Sequence, residues 1–281
     1  MGKPGRAVCI VTPMLLAAAS LVCFLTVSLA QVSPGSHNTL LQRKLYFFKA
    51  DTSSMLLTPQ GLLGSLPDSL PDSLPDVLPD VLPDSVLGID IPDALSSVAK
   101  SGHLKDFYAV GLFGYCEGET DTQTGMETVT HCSAWKMPFY FDPVAVWQLE
   151  DTGMQVILGD KFTHGLKIYR KMVEVMQGAF VTVLALSVLE CVAGMFAVKS
   201  RLYSALVAAV SFIQAAIAIV AAVVATVTYV ALTGVFESVL RLYNIEATLG
   251  RDLFCVLWVA VAFSVASGFF WLPSVCFCSG K

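Results

Sequence analysis

The chain has 281 residues, a mean hydropathy of +0.69 and only 14% charged residues. A soluble globular domain usually carries about 25% charged residues, so the composition excludes an ordinary soluble fold and points to membrane-spanning helices. The formal net charge of −5 is concentrated in the middle, where 17 Asp/Glu face 10 Lys/Arg between Gln31 and Lys171; phosphate binding needs clustered bases, so no nucleic-acid partner is expected.

Lys3 and Arg6 precede the first apolar run, Val8 to Leu29, which holds 22 residues without a charge. At about 1.5 Å per residue this run crosses a hydrocarbon core of roughly 30 Å. Ser28-Leu29-Ala30 before Gln31 leaves a cleaved signal peptide as the alternative, but the run exceeds the roughly 7–15 residues of a signal core, and an uncleaved span is expected.

The aromatic segment KLYFFKADT, Lys44 to Thr52, predicts a short strand, with an interfacial segment as the alternative. A repeat of period four follows from Leu66 to Asp84, with proline at 67, 71, 75, 79 and 83. Each proline removes a backbone donor and bars a continuous helix, and the aspartates repel one another. The reading is a solvated Leu-Pro-Asp spacer over 61–92. Pro92 to Asp106 predicts a short amphipathic helix, with Ala94, Leu95, Val98 and Ala99 at helical spacing.

The stretch Asp106 to Pro143 contains Cys116 and Cys132, the two cysteines in polar sequence. If this region lies outside the cell, oxidation is permitted and a disulfide is expected. It would pin two strands, Phe107–Cys116 and Val129–Trp135, into a hairpin-like sheet. The spacing fits no zinc pattern. His37, His103, His131 and His164 are scattered, so no metal or cofactor is expected.

Beyond it, Lys161 to Met176 predicts a helix running directly into a second span, roughly Val175 to Val198. A third, alanine-rich span covers roughly Leu202 to Leu232. Thr233 to Asp252 reads as a connection. The fourth span is Leu253 to Leu272, with Pro273 expected to stop it and a tail of nine residues after it. Lys3, Arg6, Lys199, Arg201 and Lys281 mark three segments free of acids, and the positive-inside rule places all three in the cytoplasm. Both termini are then cytoplasmic and the acidic 31–172 segment is outside. The organisation reads as 1–30 for the N-terminus and first span, 31–172 for the outer loop, 173–272 for the remaining spans and 273–281 for the tail.

Glu190 lies deep in the second span, with Gln214 at comparable depth in the third. Intramembrane acids are costly and are functional candidates by default. The expectation is that Glu190, protonated, bonds Gln214 across the helix interface in a packing role; a small channel or transporter using Glu190 is the alternative. The small residues of the third span favour close packing within the bundle and leave homo-oligomer contacts open. Cys276 and Cys278, just past the fourth span, are candidate palmitoylation sites. No nucleophile elbow, P-loop or dinucleotide fingerprint is present, and no enzyme is expected.

FYAVGLFGYC, followed by a second cysteine and then FYFDP, resembles the fungal Sur-seven/PalI family of four-span, claudin-like plasma-membrane proteins. The matching positions are Gly111, Leu112 and Phe113, leading through Gly114 and Tyr115 to Cys116, together with Cys132 and the exit Phe141-Asp142-Pro143. The aromatic after Gly-Leu is often tryptophan in that family, the Leu-Pro-Asp repeat is not part of its pattern, and several members carry longer tails. The resemblance implies an all-α four-helix transmembrane bundle carrying a small extracellular disulfide-linked β-sheet. It also implies residence in eisosomes of the plasma membrane, cortical partners, and roles in endocytosis or cell-wall integrity.

Overall fold

The computed structural model describes residues 3–32, 44–53, 104–121, 123–147, 159–197, 201–240 and 245–276. Four long helices dominate: α1 (Lys3–Leu29), α3 (Gly159–Ala197), α4 (Arg201–Leu240) and α5 (Arg251–Cys276), with a single turn, α2 (Pro143–Val146), before α3. Each long helix contains a stretch long and apolar enough to cross a membrane: Ile10–Leu29, Lys167–Ala197, Tyr203–Glu237 and Arg251–Pro273. The 39 residues of α3 extend about 58 Å, well beyond a hydrocarbon core of roughly 30 Å, so its first turns stand beside the sheet.

The helices close a ring in which α1 packs on α3 and α5, and α4 packs on α3 and α5. Residues Ile10, Ala197, Val207, Ala208 and Trp271 meet at one end. That end holds the start of α1, the end of α3, the start of α4 and the end of α5; the sheet caps the opposite end. On α4 the small side chains face inward (Ala208, Ala215, Ala218, Ala221, Ala222 and Ala225 are buried), whereas Leu206, Ile213, Val220 and Val227 are exposed. Hydrocarbon solvates those large residues as well as the core would. Close approach of backbones, which alanine permits, is what holds helices together in lipid.

The cap is a five-stranded antiparallel sheet of β1 (Phe48–Asp51), β2 (Phe107–Val110), β3 (Tyr115–Thr120), β4 (Glu127–Cys132) and β5 (Glu246–Leu249), in the order β4-β3-β2-β1-β5. Besides β4 running Glu127–Cys132 in place of the expected Val129–Trp135, it differs from the expected hairpin in two ways. Phe107–Cys116 is two strands, because the chain reverses at Gly111–Gly114, where the Gly111 N–H donates to the Gly114 carbonyl at 2.8 Å. The segment read as a connection supplies a strand, β5, which pairs β1 from Phe48↔Leu249 to Asp51↔Glu246. The segment between α4 and α5 thereby joins the same sheet as the strand that follows α1.

Pro273 does not stop α5, which continues to Cys276. A proline there removes only one helical bond near the terminus, a smaller loss than in mid-helix. The Leu-Pro-Asp spacer, residues 92–103 of the expected amphipathic helix, and Cys278 lie outside the described residues.

Candidate functional site

The signature segment is built by the bundle beneath it. Where the chain leaves α1, Gln31 takes a positive φ of 61° and its side-chain amide donates to the Leu45 carbonyl at 2.8 Å. The Gly111–Gly114 reversal crosses this corner so closely that a Cβ at Gly111 would lie 2.5 Å from the Ala30 carbonyl oxygen, and one at Gly114 would lie 2.8 Å from Ser133 Oγ. Gly111 is required by this backbone approach, and a side chain at Gly114 would have to displace the Ser133 hydroxyl. Between them Leu112 and Phe113 point into the protein and are fully buried.

Two side chains, Tyr229 and Gln177, lock the reversal to the helices. Tyr229 of α4 donates its hydroxyl to the Gly111 carbonyl at 3.0 Å. Gln177 of α3 donates through Nε2 to the carbonyls of Leu112 and Phe139, each at 2.7 Å. Its Oε1 accepts the Phe139 N–H at 3.1 Å. One buried amide thus serves three main-chain groups that would otherwise be unpaired. Gln177 was not singled out from the sequence; the available signal is a lone amide in the apolar run VEVMQGAFV.

The disulfide joins Cys116 and Cys132, which are directly opposite each other on β3 and β4. Cys116 is buried with Phe107, Ala109 and Val129 on one face of the sheet. The other face presents Phe48, Tyr108 and Val110 to the main core, where they meet Phe141, Trp147 and Phe236. Tyr115 stacks on Phe139 at 6.2 Å, and Phe47 stacks on Tyr229 at 4.6 Å. Of the nearby aromatics, Trp135 is the exposed one, leaning on Phe113 at 5.5 Å.

Three ion pairs lie on the cap among the described residues. Lys49 is buried, pairs with Glu127 and lies over the Phe107 ring at 4.8 Å. Lys105 pairs with Glu119 at 2.7 Å, a bond that raises its ammonium pKa. Arg170 of α3 covers the Tyr140 ring at 4.2 Å and reaches Asp142 at 3.5 Å. Burial pushes the Tyr108 phenol up to about 12 and raises Tyr115 as well. Burial also raises Glu117, against the opposing pull of His131 and Lys105. Among the described residues no group of three or more His, Cys, Asp or Glu stands close enough to hold a metal ion. The aromatics of the cap pack inward against the bundle and give it a tightly filled core.

Within the bundle, Glu190 and Gln214 are both buried, but they do not bond each other. Glu190 Oε1 accepts from Ser267 Oγ at 2.8 Å and from Trp271 Nε1 at 3.0 Å, both on α5. Gln214 Nε2 donates to Ser187 Oγ at 2.8 Å and to Ser264 Oγ at 3.4 Å. The expected pair therefore separates into two layers one helical turn apart. The cause is α5, whose Ser264, Ser267 and Trp271 supply partners that a comparison of depth along α3 and α4 alone did not include.

Four membrane-crossing helices, a small antiparallel sheet at one end and a disulfide across two of its strands define a claudin-like, multi-pass membrane protein. The chain belongs to the SUR7/PalI family, whose profile matches residues 9–270 and so covers most of its length. No curated protein and no solved structure gives a match.

Proposed function

We propose that this is a non-enzymatic plasma-membrane protein that organises cortical membrane domains of the eisosome type, in support of endocytosis or cell-wall integrity. In this reading both termini and the α3–α4 connection are cytoplasmic, as their bases require, and the disulfide-linked cap is outside. Its partners are the bilayer and other membrane or cortical proteins, with further copies of this chain among the candidates. The observation that carries the proposal is the inward packing of Gly111–Tyr115 and of the Cys116–Cys132 pair. The residues that mark the family are used to fix a cap rigidly on a bundle, which suits a protein that acts by being held in place. Family membership supports the same reading.

A fluorescent fusion imaged at the cell cortex tests it. Stable patches that recover slowly after photobleaching are expected. Diffuse plasma-membrane fluorescence, together with a substrate-dependent flux lost in Glu190→Gln, would instead favour a small channel or transporter. Thiol labelling of intact cells after reduction tests the orientation: Cys116 and Cys132 should then react from outside.

A further inference from the structure

A cavity of about 390 Å³ lies where β1, β4 and the end of β5 meet the start of α5. Small-ligand sites run from about 300 to 1,000 Å³, so it has room for a head group. Its charged lining is Lys44, Lys49 and Arg251 against Glu127 and Asp252.

The cavity stands at the level where two spans leave the hydrocarbon. The spanning stretch of α5 begins at Arg251, and that of α1 ends at Leu29. Gln31, two residues beyond, holds the Leu45 carbonyl, between Lys44 and Tyr46. The Gly250 N–H donates to the Phe47 carbonyl at 3.1 Å, which fastens the same segment to the start of α5. Because α1 packs on α5, Lys44 and Arg251 come to one rim of the bundle.

The charges of the lining are unevenly used. Buried Lys49 pairs with Glu127. Lys44 and Arg251 are exposed and enter none of the ion pairs among the described residues. Three bases against two acids leave the cavity with one positive charge in excess. A lipid phosphodiester carries one negative charge and lies just outside the hydrocarbon, at the level of those two bases. Guanidinium and ammonium groups suit phosphate oxygens, and basic pockets beside membrane helices bind lipid head groups.

We propose that this cavity binds the head group of one membrane phospholipid from the leaflet on the cap side. Arg251 and Lys44 hold the phosphodiester oxygens. Tyr46 and the Lys49–Glu127 pair line the space into which the rest of the head group reaches. The acyl chains follow the exposed stripe of Cys255 and Trp258, four and seven residues after Arg251 on one face of α5.

Binding of a short-chain phosphatidylglycerol to the purified full chain in uncharged detergent tests the site. Saturable binding of one molecule per chain is expected. Arg251→Gln and Lys44→Gln should each weaken it about tenfold or more, the loss of a charge-assisted hydrogen bond, with the thermal midpoint kept because both side chains are exposed. Lys136→Gln, an exposed base elsewhere on the cap, should leave binding unchanged. Inorganic phosphate at equal concentration should not displace the lipid; displacement would make this a site for free phosphate and overturn the proposal. Absence of saturable binding, undiminished binding in both Arg251→Gln and Lys44→Gln, or equal weakening by Lys136→Gln overturns it as well.

Discussion

Tyr229 and Gly111 are 118 positions apart, yet the tyrosine hydroxyl donates to the glycine carbonyl at 3.0 Å. The bond ties the third membrane helix to the reversal of the cap, and the same tyrosine ring stacks on Phe47. Tyr229→Phe keeps the stack and leaves the carbonyl unpaired. A loss of about 1–3 kcal/mol is expected, read as a lower thermal midpoint of the purified protein.

Gln177→Leu removes three hydrogen bonds to Leu112 and Phe139 while keeping similar bulk. Stranding three buried main-chain groups should cost about 3 kcal/mol or more, a larger loss than that of Tyr229→Phe. Limited proteolysis should cut within 106–143 in this variant and spare the wild type under the same conditions. Equal resistance of the two would remove Gln177 from its locking role.

Cys116 and Cys132 close a loop across a sequence separation of 16 residues. In the chain-entropy view such a crosslink contributes about 3 kcal/mol. Paired Cys116→Ala and Cys132→Ala changes should loosen the β3–β4 hairpin, seen as faster amide exchange there. The four spans, whose stability rests on lipid-facing apolar surface and helix packing, should still insert.

Glycine substitutions separate close approach from helix propensity. A Cβ at Gly250 would lie 1.7 Å from the Tyr46 carbonyl oxygen, and one at Gly118 would lie 2.2 Å from that of Thr128. Gly250→Ala and Gly118→Ala should each destabilise by about 1–3 kcal/mol or more. A Cβ at Gly178, inside α3, meets nothing within 4 Å, so Gly178→Ala should be neutral or stabilising by up to about 1 kcal/mol. Thermal midpoints of the three variants measure the contrast.

The pH dependence of the cap follows from Tyr108 and Glu117. Burial raises the Tyr108 phenol from 10.0 to about 12. Its neutral form is therefore favoured by folding, and its contribution is fully present below about pH 10 and lost as pH rises toward 12. Tyr108→Phe should flatten the alkaline limb of a stability profile. Glu117, opposite His131 on β4, is raised above 4.5, chiefly by burial. Its stabilising contribution is present below that value and is lost as pH rises, so Glu117→Gln should stabilise the protein at neutral pH and give no gain in acid.

The two glycines of FYAVGLFGYC were visible as residues, but their role was not. An uncharged, aromatic-rich run from Phe107 to Cys116 reads as one strand until something forces it to turn. What forces it is the end of α1: Ala30 and Gln31 leave room only for bare backbone at Gly111, while Gly114 is crowded by the Ser133 hydroxyl and the Gln31 carbonyl. β5 was hidden for a related reason. EATL alternates too weakly to announce a strand, and it becomes one because β1 offers an open edge beside the entry to α5.

What the sequence by itself determined is therefore what local composition and period determine: four apolar runs of spanning length, the acidic segment between the first and second, the cysteine pair in polar sequence and the family signature. Hydrocarbon solvation acts on each run independently, so no knowledge of neighbours is needed to find the spans. The tertiary structure alone decided which polar groups meet. Glu190 went to Ser267 and Trp271 instead of Gln214, and Gln177 went to a loop 65 residues away in sequence. A buried polar side chain must find a partner in three dimensions, and the ring closure of α5 onto α1 and α4 fixes which partners are within reach.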